Sequence, residues 1–331
     1  MRLSRRRFLL AATAAAFVGR APAEHWQWRG SALGAEARIV LNGRRDQAEE
    51  ALAAVVAEID RLESIFSLHR PASQLCRLNA HGMLDAPARD LREALAACAR
   101  WKRLTSGAFD PAVQPLWQHW AQGAAGSRHA ALDRVRRAEI DFANEQVALS
   151  RGTALTLNGI AQGIIADRVT EILIRRGFSP PIIDTGEMRL SGSQRWPVDL
   201  PEAGLRLRLA EAAVATSAPG ALSFDAAARR HHLFEPRSGE SPGWWQSVTV
   251  IAPTAEAADA LSTAFAVSPP ELLGDLASGL DDVTVIATHR DGRVGIFGRK
   301  NHQYERLPYC PELRLPTQAT LRHDDTIAGR T

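Results

Sequence analysis

Asp259 and Thr263 stand four residues apart in Ala258–Thr263, A-D-A-L-S-T, inside the apolar helical stretch Ala255–Val267. At that spacing a carboxylate and a hydroxyl share one helix face. Both are hard oxygen donors of the kind Mg2+ takes. An aspartate near a helix start is also a common cap, so either residue alone reads as structural, while the two together can point at one ion. A second group with chemistry in it is His232, in H-H-L-F-E-P-R-S-G from His231 to Gly239. An imidazole can take a proton from a nucleophile or orient a phosphate; it reads also as a satisfied core histidine. Its neighbour His231 is expected at the surface. The third stretch is Thr156–Asp167, T-L-N-G-I-A-Q-G-I-I-A-D. Here an apolar strand, Ala154–Leu157, is expected to pass through Asn158, as N-cap, into a helix ending near Gly177. Gly159 and Gly163 let a backbone or ligand come close, and free N–H groups at such a helix start suit phosphate. The spacing is neither G-x-x-x-x-G-K-[ST] nor G-x-G-x-x-G, so alone it reads first as a packing turn. Asp167 reads as solvated.

The elements that must position these groups are legible in outline. The stretch Trp26–Leu41 contains the first strand signal and ends in the turn Asn42-Gly43, which brackets a hairpin or a strand end. Leu52, Val55, Val56, Ile59, Leu62 and Phe66 recur at helical spacing, with Asp46 as cap. A second helix covers Pro87–Thr105, with Leu91, Leu95, Cys98 and Trp101 on one face. Gly107-Ala108-Phe109-Asp110-Pro111 breaks it. Gln122–Gln146 is a polar excursion with a short helix. Val147–Leu149 is expected to pair with Ala154–Leu157. Further strands are read at Pro181–Asp184, Trp196–Asp199, Leu205–Leu209, Ala213–Thr216, Val248–Ile251, Val283–Thr288 and Val294–Phe297, the last two as a hairpin. Strands and helices mix without regular β-α-β alternation, which favours an α+β fold with largely antiparallel sheets and packed helices in two intimately joined lobes.

Four stretches in order, G-A-F-D-P at Gly107–Pro111, N-G-I-A-Q-G within Thr156–Asp167, H-L-F-E-P-R-S-G at His232–Gly239 and A-D-A-L-S-T at Ala258–Thr263, resemble the ApbE family, the FAD:protein FMN transferases. The likeness extends from about Ser31 to Gly298. It implies an ApbE-like fold, FAD as substrate, Mg2+ as cofactor, and transfer of FMN to a threonine of an acceptor protein with release of AMP. Carried over residue by residue, it implies metal ligation by Asp259, Thr263 and the Gly159 carbonyl, with His232 and Asp259 catalytic. It implies FAD contacts at Leu33, His69, Ala108, Phe109, Asp110, Thr156 and Gln162. Several positions depart from the family pattern. His69 stands for a flavin-stacking tyrosine, Thr156 for an aspartate, Gln162 for lysine or glutamate, Glu235 for aspartate, and Asp184-Thr185-Gly186-Glu187 for N-x-G-G-D. The combination of N-G-I-A-Q-G, G-E and the leader described below is similar to the branch associated with nitrous oxide reductase maturation. There the acceptor is a membrane-bound regulatory flavoprotein. The departures leave a second reading open, an FAD-binding maturation factor with weak or no transfer. A pyrophosphatase using water as nucleophile is a third.

The chain of 331 residues is 45% apolar and 23% charged, enough for a sizeable core. Ser4-Arg5-Arg6-Arg7-Phe8-Leu9, the apolar run Leu9–Val18 and Ala21-Pro22-Ala23 read as a twin-arginine leader cleaved after residue 23. The run is too short to serve as an anchor, and the expected destination is the periplasm. Residues 1–23 hold five arginines and no acids, so the remainder has 35 basic against 37 acidic side chains and a formal charge of −2. That balance gives no basis for nucleic-acid binding. Residues 24–316 read as the flavin-transferase domain and 317–331 as a disordered tail. Cys76, Cys98 and Cys310 form neither a disulfide framework nor a zinc motif, and Cys98 reads as core.

Overall fold

The stretch 26–41 holds two strands, and the hairpin turn lies inside it rather than at its end. β1 (His25–Ala32) and β2 (Ala35–Asn42) form a hairpin through Leu33-Gly34. Both turn residues have positive φ, 51° and 87°, the geometry that Asn-Gly normally marks in a sequence. A leucine at the first of these positions carries no such signal. Its N–H donates to Glu63 Oε1 at 2.6 Å, an acceptor supplied by α1 (Arg45–Phe66). In α1 the N-cap is Arg44 rather than Asp46, and Asp46 pairs with the Arg44 guanidinium at 2.8 Å.

A computed structural model describes residues 25–42, 44–124, 126–142, 145–178, 182–226, 229–298, 302 and 304–307. The expected leader, the polar tail and Cys310 lie outside the described residues. After α1 come α2 (Gln74–His81), β3 (Met83–Asp85), α3 (Arg89–Leu104), α4 (Gln114–Ala121), α5 (Arg128–Arg136), β4 (Ile140–Asp141) and β5 (Gln146–Leu149). Then follow α6 (Ala161–Arg175), β6 (Ile182–Asp184), β7 (Met188–Leu190), β8 (Trp196–Leu200), β9 (Leu205–Leu209) and β10 (Ala212–Ser217). The chain closes with β11 (Trp245–Ala252), α7 (Ala255–Val267), α8 (Pro270–Ser278), β12 (Thr284–His289), β13 (Val294–Gly298) and β14 (Tyr304–Arg306).

The fold is α+β, and the strand pairs among the described residues are antiparallel. A sheet of eight strands runs β1-β2-β6-β7-β10-β11-β12-β13; β14-β9-β8 and β3-β5-β4 form two small ones. Alternation along β10 explains how the large sheet is covered. Ala213 and Ala215 belong to the core shared with α1, α3, α6 and α7, whereas Ala212 and Val214 belong to a second core with Leu207 and Leu209 of β9. Successive side chains on a strand point to opposite faces. The helices thus cover one face and the β8–β9 sheet the other. Leu116, Leu132, Val135 and Phe234 make a third cluster that joins α4 and α5 to the H-L-F-E-P loop. Cys98 is fully buried, as its place in the helical stripe implies.

One expected strand is absent. β5 pairs with β3 and β4, and residues 154–157 join no sheet. Among the described residues no helix is long and apolar enough to cross a membrane.

Candidate active site

The segment 154–157 is extended because a side chain replaces a strand. Asn79 of α2 donates from Nδ2 to the Leu155 carbonyl at 2.8 Å and accepts the Leu155 N–H at 2.7 Å. Such an amide satisfies both backbone groups of one residue, as a sheet neighbour would. The Thr156 N–H donates to the Pro111 carbonyl at 2.8 Å, which ties G-A-F-D-P to the glycine turn. Thr156 Oγ1 accepts from the Asn158 N–H at 3.1 Å. Asn158 is exposed and does not cap α6; the N-cap is Ile160, which offers no side-chain bond.

The cap comes from another helix. Asp259 Oδ2, on α7, accepts the Gly163 N–H at 3.1 Å. The exchange is reciprocal: Asp167, on α6, accepts the Ala255 and Glu256 N–H groups at the start of α7, both at 2.9 Å. Asp167 is therefore a structural cap, with Arg189 Nε 3.3 Å from its Oδ1, and not the solvated residue expected. The two glycines make the approach possible. A Cβ on Gly163 would overlap the Ala255 carbonyl and lie 2.7 Å from the Glu256 nitrogen; a Cβ on Gly159 would lie 2.8 Å from Thr263 Oγ1.

Asp259 is 3% exposed. Burial pushes its carboxyl up to about 8, against the opposing Gly163 N–H and with the help of the Glu256 charge. Glu187, 7% exposed, is raised well above the carboxylate range by burial and by the charges of Asp259 and Asp184. A buried anion is stabilised by pairing or by a metal. Asp259 and half-buried Thr263, with the Gly159 turn pressed against the Thr263 hydroxyl, make a hard-oxygen donor set that fits Mg2+. No group of three or more His, Cys, Asp or Glu among the described residues is placed to hold a metal. The fit rests on a mixed set of carboxylate, hydroxyl and carbonyl.

The two adjacent histidines separate cleanly. His231 is the buried one, at 0% exposure, contrary to the surface place expected for it. Its Nε2 faces the Pro242 carbonyl at 2.9 Å and its Nδ1 faces the Leu233 N–H at 3.3 Å. A carbonyl only accepts, so Nε2 carries the proton and both ring nitrogens are used. His232 is half-buried, and its Nδ1 meets the Leu222 carbonyl at 3.2 Å. Its proton therefore sits on Nδ1, which leaves Nε2 as an acceptor. Burial pulls this imidazole down to about 4, so it is neutral at ordinary pH. The strand that leads to this loop is fixed to α7 by Ser217 Oγ and Ser262 Oγ, 2.9 Å apart. Glu235 accepts the Arg237 and Ser238 N–H groups and shapes the turn that follows.

The residues expected near FAD lie in two groups. Leu33 and His69 come together: the His69 ring is 3.9 Å from the position a Cβ on Gly34 would take. In the G-A-F-D-P loop, Ala108 is half-buried and Phe109, at 3% exposure, belongs to the core. Asp110 is paired with Lys102 Nζ at 2.6 Å and accepts the Ala112 N–H at 2.9 Å. Thr156 adjoins that loop through Pro111. Gln162 packs on the Asp184–Glu187 loop, where a Cβ on Gly186 would lie 2.5 Å from its Nε2. Sequence reasoning missed Glu187, whose one signal was the departure G-E from the family pattern.

Solved structures share this architecture. The flavin transferase ApbE from Vibrio cholerae superimposes with a TM-score of 0.70 over 83% of this chain and 97% of its own, at 21% identity. The apo flavinyl transferase ApbE of Pseudomonas stutzeri does so with a TM-score of 0.70 over 83% and 95%, at 24% identity. At these identities the likeness shows the fold. A curated FAD:protein FMN transferase of Treponema pallidum is 25% identical over 74% of this chain and 79% of its own length. One from Klebsiella pneumoniae is 29% identical over 61% and 71%. The sequence pattern of the ApbE family matches residues 33–287, and the chain belongs to that family.

Proposed function

We propose that this chain is a flavinyltransferase that moves FMN from FAD to a threonine hydroxyl of an acceptor protein. The observation that carries the reading is the glycine turn of α6 closing on Thr263 beside the buried Asp259. The curated relatives named FAD:protein FMN transferase support it. In the reaction the acceptor oxygen attacks the FMN-side phosphorus. A P–O bond forms, the pyrophosphate bridge breaks, and AMP leaves with the bridging oxygen. His232 Nε2 takes the hydroxyl proton, being the ring nitrogen without one. Asp259, Thr263 and the Gly159 carbonyl would hold Mg2+, which when bound supplies charge neutralisation for the phosphates. The Ala108–Asp110 loop, Thr156 and Gln162 orient the dinucleotide from one side, Leu33 and His69 from another.

The test is transfer itself. With FAD, Mg2+ and an acceptor domain carrying an exposed threonine, in-gel flavin fluorescence and a mass gain on the acceptor are expected. Asp259→Ala and His232→Ala should lower the rate by about a hundredfold or more. Retained transfer in Asp259→Ala would remove the cation role. Gln162 brings no charge where the family pattern has lysine or glutamate, and this favours one other reading, an FAD-holding maturation factor. Bound FAD without AMP release, across several acceptors, is its signature. We place the reaction in the periplasm, on the leader at residues 1–23, with an exported or membrane-bound flavoprotein as acceptor. The nitrous oxide reductase regulatory flavoprotein is the first acceptor to try.

A further inference from the structure

Glu187 has no part in the scheme above. It is 7% exposed, and its Oε2 is buried with no hydrogen-bond partner among the described residues. A buried, unpaired carboxylate oxygen is costly, so its retention points to an occupant. Its position follows from the loop that carries it. Asp184 Oδ1 accepts the Gly186 N–H at 3.1 Å. Gly186, at φ 97°, then folds onto Gln162. The Thr185 hydroxyl reaches the Gln162 carbonyl at 3.4 Å. Gln162 precedes Gly163, whose N–H is held by Asp259. The loop thus lies on the same first turn of α6 that Asp259 caps.

We propose that Glu187 is a second carboxylate ligand to the divalent cation held by Asp259 and Thr263, which lets the chain bind that ion before any dinucleotide arrives. The proposal rests on the cation reading above and extends it. Mg2+ in nucleotide sites is commonly held through one or two carboxylates plus substrate phosphates. With one carboxylate the phosphates must supply most of the affinity. With two, the protein alone supplies both carboxyl groups, each giving up its proton as the ion binds.

The full-length protein, free of FAD, is titrated with Mn2+ while the unbound ion is followed by electron paramagnetic resonance. Wild type, Glu187→Gln, Glu187→Gly and Asp259→Asn are compared at one pH. Wild type should bind the ion without FAD. Both Glu187 variants should weaken binding by about tenfold or more and lose the rise in melting temperature that Mg2+ gives the wild type. Glu187→Gln keeps the shape and the size of the side chain, so it should melt close to the wild type without metal. Loss in Asp259→Asn with wild-type affinity in either folded Glu187 variant overturns the proposal and leaves the Asp259 site standing. Wild-type affinity in Asp259→Asn as well overturns the cation reading itself.

Discussion

His231 and His232 are adjacent in sequence and differently satisfied, and the difference is one of partners. His231 spends both ring nitrogens on the backbone; His232 spends one and keeps Nε2. His231→Asn should cost about 1–3 kcal/mol of stability, since it leaves buried backbone groups unpaired, and a denaturant melt reads it. His232→Asn should abolish transfer with a smaller loss of stability. The depressed imidazole also has a pH signature. Its folded value of about 4 lies below the ordinary 6.5, so between those values the unfolded chain binds more protons. His232 therefore contributes stability above pH 6.5 that is lost as pH falls toward 4, at most about 3 kcal/mol. The difference between wild-type and His232→Asn melts across that range isolates it; equal slopes would refute it. At this scale the sequence displayed which side chains could carry chemistry and concealed what satisfies them. Nothing in H-H-L-F-E-P says that Leu222 and Pro242 supply the carbonyls, because they lie ten and eleven residues away on either side of the motif.

Between α6 and α7 the decisive feature is the exchange of caps. Asp167→Ala should free the first N–H groups of α7 and leave Arg189 without its ion pair, costing about 1–2 kcal/mol. Gly163→Ala should cost more than that, since the new Cβ would meet backbone of α7 that cannot rotate away. Soluble yield and melting temperature of both variants check the order. The helix α7 was legible to its last residue, because its apolar run is bounded by Thr254 and Ser268. The start of α6 was not. Asn158 has the right type for a cap, but Thr156 holds its N–H and the cap is donated from 96 residues away. The expected strand at 154–157 failed for a related reason. Its residues are apolar and extended, and the partner is one asparagine side chain instead of a strand. Asn79→Ala should loosen that segment and lower FAD affinity more than stability, which equilibrium FAD titration beside a melt will show.

Across the molecule, the large sheet is buried on both faces at its centre and thins to a single hairpin at β1–β2. Its class was readable from the irregular mixture of strands and helices, and its order was not, since strand neighbours such as β2 and β6 are set by tertiary packing. β1 is an edge strand. Its exposed positions Gln27, Arg29 and Ser31 alternate with Trp26 and Trp28, and charge on an edge discourages pairing with other chains. Cell fractionation should recover the protein in the periplasm, shortened by the leader, and Arg5→Lys/Arg6→Lys together should hold it in the cytoplasm. Recovery of the doubly substituted protein in the periplasm would exclude the twin-arginine route.

The cap exchange also sets a clock. The glycine turn is synthesised long before α7, yet it lacks its carboxylate until α7 docks. Contacts so far apart in sequence form late. A nascent or truncated chain ending before residue 254 would carry the turn without the α7 carboxylate that accepts the Gly163 N–H, and on the function proposed above it would transfer no FMN while incomplete.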